Sequence, residues 1–175
     1  MKTDNVEVLT SYFYMVRFFE PYHIPFNTAM WPPKWYRRGS GDVYLDKRGV
    51  INGLTAQPLV PGRECEGLCN GRGGDGRCLT QGDAADPNAC PFLIKYMEQL
   101  ERINFESFKK SLMDVAWKAL GEFNPQESES LKAMGESPVP VLLFHETPEN
   151  TCSERIKVTR WIVDHGVTVK EFKRP

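Results

Sequence analysis

The chain has 175 residues, 22 Lys and Arg against 23 Asp and Glu, a formal charge of −1, and 41% hydrophobic residues. That size and apolar share suit one domain around one core. The charge balance excludes a global cationic field for gathering nucleic acid, so any anion binding has to be local.

No run nears the roughly 18 uninterrupted apolar residues of a membrane helix, since even Val139 to Phe144 is short and holds Pro140. Met1 to Thr10 carries Lys2 and Asp4 and lacks the apolar stretch of a secretory signal, so a cytoplasmic protein with no membrane attachment is expected. In that setting the five cysteines should be thiols rather than disulfides.

In chain order, Val6 to Tyr14 is rich in β-branched and aromatic residues and reads as a buried strand that turns at Glu20-Pro21. Ile24 to Trp31 reads as a second short strand, stopped by Pro32-Pro33. Between Gly39 and Pro91 glycine, proline, asparagine and aspartate dominate, and four of the cysteines occur there. An irregular insertion of that length needs a staple other than secondary structure.

From Phe92 the apolar residues Leu93, Tyr96, Met97 and Leu100 take helical spacing. A second helix should open at Asn104 and run to Gly121, and Gln126 to Gly135 adds a short polar one. Val139 to Phe144 reads as a central strand buried on both faces. The last helix is expected to start at Thr151, with Glu154 completing a capping box, and to end at Gly166. Val167 to Phe172 closes the chain as a strand, giving a strand-helix-strand unit. The pattern predicts a single three-layer α/β domain, Rossmann-like with a mostly parallel sheet, over residues 1–175, interrupted by an irregular cysteine-rich insertion at 39–91.

Three places could carry chemistry. Cys65, Cys69, Cys78 and Cys90, separated by three, eight and eleven residues, could supply four thiolates to a structural zinc ion; an iron–sulfur cluster or unligated thiols are the alternatives. The turn His145 to Arg155 leads from a strand end into a helix start, where ligands of open α/β sheets bind and free N–H groups favour anions. There Glu146 is a candidate acid or base, Cys152 a candidate nucleophile at the first helical position, Arg155 a further catalytic candidate, and Thr151 and Ser153 substrate-binding candidates. The bland alternative makes Cys152 a packing residue, the glutamates caps, and Arg155 a solvated charge. In Trp31-Pro-Pro-Lys-Trp-Tyr-Arg-Arg38, Trp31 and Trp35 could stack bases while Lys34, Arg37 and Arg38 meet phosphates. Its alternative is a stiff corner with aromatics inward and cations outward.

Leu9-Thr-Ser-Tyr-Phe13, Ala29-Met-Trp-Pro-Pro-Lys-Trp35, and Leu142-Leu-Phe-His-Glu146 followed by Cys152 together resemble the domain-of-unknown-function 488 family. The resemblance implies a small intracellular Rossmann-like protein that processes nucleotides or nucleic acids. In the family a histidine and an arginine follow the cysteine directly; here Ser153 and Glu154 take those places and Arg155 comes one later. The resemblance therefore implies that a role of that histidine is lost.

These features lead to an enzyme acting on a nucleotide or nucleic-acid component, with phosphate held at the start of the last helix. The competing expectation is a non-catalytic, metal-stabilised binding module for a protein or nucleic-acid partner.

Overall fold

The computed structural model describes residues 7–37, 42–71, 78–82, 85–150 and 152–175. Four strands form one parallel sheet: β1 (Val8–Tyr12), β2 (His23–Asn27), β5 (Val139–Phe144) and β6 (Val169–Glu171), in the spatial order β2-β5-β1-β6. A short antiparallel pair, β3 (Tyr44–Leu45) and β4 (Ile51–Asn52), lies in the segment expected to be irregular. The helices are α1 (Pro91–Glu101), α2 (Phe105–Phe123), α3 (Pro125–Met134) and α4 (Glu154–Asp164). Among the described residues no helix is long and apolar enough to cross a membrane. The chain is thus an α/β protein with a parallel sheet, as its patterning indicates.

β5 is interior, and its period-two alternation feeds two cores. Leu142 and Phe144 pack with Val8, Ile24 and Phe26 under residues of all four helices. Val141 and Leu143 face the other way, against Phe13, Met15, Val16, Phe19, Tyr36, Val50 and Phe172. The second cover is therefore a 3₁₀ segment, Phe13–Phe18, and loops rather than α-helices. That same 3₁₀ segment cuts the first strand short of Tyr14. β2 is likewise shorter than expected and ends at Asn27. Pro25 is tolerated in it because β2 is an edge strand.

Caps set the helix ends. The Asn104 side chain accepts the Ser107 N–H, as its position suggested, and Asn124 does the same for Glu127 at the start of α3. α2 runs through Gly121 to Phe123, because Ala119 and Leu120 continue its buried stripe and Asn124 closes it. Gly166, at φ +81°, follows the end of α4 as expected.

The segment 42–71 is not an appendage. Val50, Ile51 and Leu59 are fully buried and Cys65 is nearly so, the last three within the helix-side core. Gln99 holds the 58–62 loop by donating to the Pro58 and Val60 carbonyls and accepting the Gly62 N–H. Apolar anchoring orders this part of the chain.

Candidate functional site

The turn after β5 is built from local hydrogen bonds. His145 Nε2 donates to the Trp31 carbonyl at 2.5 Å, tying it to the loop after β2. The Asn150 side chain accepts the Cys152 N–H at 3.0 Å, and the Ser153 hydroxyl accepts the Arg155 N–H at 3.0 Å as the cap of α4.

The capping box expected from Thr151 is thus replaced by Ser153 at the cap, two residues later; Thr151 itself lies outside the described residues. Cys152 precedes the cap instead of occupying the first helical position. Of the helix amides that were to hold phosphate, that of Arg155 is already met by the Ser153 hydroxyl.

Above the turn is a cavity of about 470 Å³. Its apolar walls include Met30, Trp31, Pro61, Phe92, Leu93 and Phe144, and its polar groups include His145, Glu146, Asn150, Cys152 and Glu154. Glu154 is the group that the residue pattern concealed, since a glutamate opening a helix reads as an ordinary cap. Burial, reinforced by the negative charge of Glu146, raises its carboxyl from an ordinary 4.5 to about 7. Two carboxyl groups therefore share one mainly apolar cavity, and that of Glu154 titrates near neutral pH. The available signal was a pair of glutamates flanking a strand-to-helix turn, one at each end.

Arg155 is not at this cavity. It is buried, with Nη1 donating to Glu171 Oε2 at 2.5 Å and Nη2 donating to the Ser11 and Glu146 carbonyls at 3.1 and 2.6 Å. Thr10 donates to the same Glu171 oxygen at 2.6 Å. The catalytic reading of Arg155 is corrected: its guanidinium ties β1, β6 and the 145–155 turn together. Ser153, 1% exposed, is occupied by its capping role and makes no wall of the cavity.

The aromatic-basic segment is arranged in neither of the two expected ways. Tyr36 is buried and donates to the Pro25 and Leu54 carbonyls at 3.0 and 2.7 Å. Trp31 and Trp35 are 80% and 48% exposed and diverge, Trp31 onto the cavity and Trp35 onto a separate depression beside Phe13 and Tyr44. They do not form one stacking platform. Lys34 is exposed, Arg37 is half-buried and donates to Thr55 Oγ1, and Arg38 lies outside the described residues.

No disulfide joins the five cysteines. Among the described residues no three His, Cys, Asp or Glu side chains gather closely enough to hold a metal ion. Cys69, Cys78 and Cys90 do line the same cavity as Cys152, whereas Cys65 lies in the core and burial pushes its thiol up. Cys69 Sγ accepts the Gly71 N–H and Cys78 Sγ the Gln81 N–H, each at 3.4 Å.

No protein-family model, curated protein or solved structure matches the chain.

Proposed function

We propose that this protein is an enzyme performing general acid–base chemistry on a nucleotide-sized substrate held in the cavity of Glu146 and Glu154. The observation that carries this reading is the sharing of one apolar-walled cavity by two glutamates. A protonated Glu154 can give its proton to a leaving group, while Glu146 accepts one from an attacking water or hydroxyl. Cys152, on the same wall, is the candidate nucleophile or positioning thiol. The resemblance to the domain-of-unknown-function 488 family supports the nucleotide side of the reading. Five cysteines without a disulfide suit a reducing, cytoplasmic setting.

The test has two parts. Carbon-detected NMR of the glutamate carboxyls should find one titrating near 7, absent in Glu154→Gln and moved down in Glu146→Gln. Incubation with a panel of nucleotides and oligonucleotides should give a product whose formation falls about 10²–10⁴-fold in Glu154→Gln. A Glu154→Gln variant with the parent rate, or no Glu154 carboxyl signal titrating near 7, removes the proposal.

A second reading is a metal-stabilised binding module. It is favoured by the backbone N–H groups donated to Cys69 and Cys78 on the wall that also carries Cys90, since such bonds suit metal-bound thiolates. Zinc, or less favourably an iron–sulfur cluster, would be the group held. Zinc and iron measured per chain in protein purified without chelator decide it, and metal-free folded protein excludes it.

A further inference from the structure

Beside the acid–base cavity lies a second recess of about 340 Å³, and the two share Ala29, Met30 and Pro61 as a common wall. Its chemistry is the opposite of its neighbour's. Arg37 and Arg63 line it together with Asn27, Thr55 and Gln57, and Glu66 is its one carboxylate among the described residues. Among the described residues neither arginine forms an ion pair, in contrast to Arg48, Arg102 and Arg155.

The Arg37 guanidinium is anchored by its bond to Thr55 Oγ1, while its buried Nε has no hydrogen-bond partner among the described residues. A buried guanidinium N–H left without acceptor or counter-charge is costly in a folded chain and points to a ligand that completes it. The recess is also held rigid before any ligand arrives. Asn27 clamps Ala29 through two 2.9 Å bonds, and Gln99 fixes the loop that carries Pro61 and Gly62.

We infer that this recess binds the oxyanion of a phosphate monoester whose organic body lies across Ala29 and Met30 in the acid–base cavity. The assignment of that ester as substrate rests on the reading of Glu154 and Glu146 given above. Charge sets the orientation: the carboxyl groups of the first cavity offer a phosphate no counter-charge, whereas two guanidinium groups accept it in the recess. Trp31, Phe92, Leu93 and Phe144 then offer apolar contact to the rest of the molecule.

Calorimetric titration of the full chain with inorganic phosphate and with phenyl phosphate, at about 0.15 M salt, tests the inference. Phenyl phosphate should bind about tenfold more tightly than inorganic phosphate, because its ring enters the apolar cavity. Arg37→Gln should weaken both by roughly 10- to 100-fold, Arg63→Ala by roughly threefold, and Glu66→Gln should tighten both.

Equal binding by the parent and the Arg37→Gln/Arg63→Ala double variant, or no binding by the parent, overturns the proposal. Equal affinity for the two probes leaves a site for free phosphate only and overturns the ester. Arg63 and Glu66 are exposed, so their variants read the recess even if Arg37→Gln fails to fold. These affinities are read without any turnover, and Glu154→Gln belongs to the product assay and the carboxyl titration, so failure of the acid–base reading is distinguishable from failure of this one.

Discussion

At the scale of single residues, two buried titratable groups have opposite effects on stability. Burial lowers His23 to about 4 from 6.5, and its Nδ1 accepts the Glu20 N–H, which only the neutral ring can do. The folded state binds its proton less well than the unfolded chain, so this contribution is full above pH 6.5 and is lost as pH falls through about 4. Glu154 has the reverse sign. Its contribution is full below 4.5 and is lost as pH rises through about 7. Glu154→Gln should therefore unfold at higher urea than the parent at pH 8.5, by roughly 2–3 kcal/mol, and lose the advantage at pH 4.5. On the proposed reading the same substitution removes activity, the pattern expected of a strained functional group. Arg155 is the contrasting residue, because its charge has a partner. Arg155→Met leaves Glu171 in a part-buried site without its cation and should lower stability by about 3 kcal/mol or more in urea unfolding, with little effect on binding at the cavity.

At the scale of elements, local chemistry was legible where side chain and backbone cooperate within a few residues. Asn104 capping α2 needed only its own position before an apolar-periodic run, and β5 needed only an unbroken apolar run. The start of α4 was misread because Thr151 and Ser153 are both capping residues, each before a plausible helical stretch. Ser153 is buried and accepts the N–H of Arg155, whose own side chain is locked to Glu171 and the Ser11 carbonyl. Tertiary anchoring of Arg155 thus selects the register of the helix start. Ser153→Ala and Asn104→Ala should each cost about 1 kcal/mol in urea unfolding. Ser153→Ala should in addition shift the NMR titration of Glu154, the next residue on the same turn.

At the scale of the whole molecule, the unexpected element is the segment between β2 and α1. Its composition suggested a loop held by metal, yet Val50, Ile51 and Leu59 embed its described part in both cores. Leu59→Ala should cost about 2–5 kcal/mol, measured by urea unfolding, and that loss should be the same with and without chelator. This embedding also brings Pro61, Cys69 and Cys78 onto the wall of the acid–base cavity and Arg63 into the recess beside it. The sequence by itself determined the α/β class, the central strand, the helices and the turn at Glu146 and Cys152, because apolar period and capping are properties of neighbouring residues. Only the tertiary structure decided that burial raises the Glu154 carboxyl, that Arg155 is a tie, and that Arg37 and Arg63, with 25 residues between them, line one recess. Burial and the approach of distant charges arise when separate elements pack, and no local pattern encodes them.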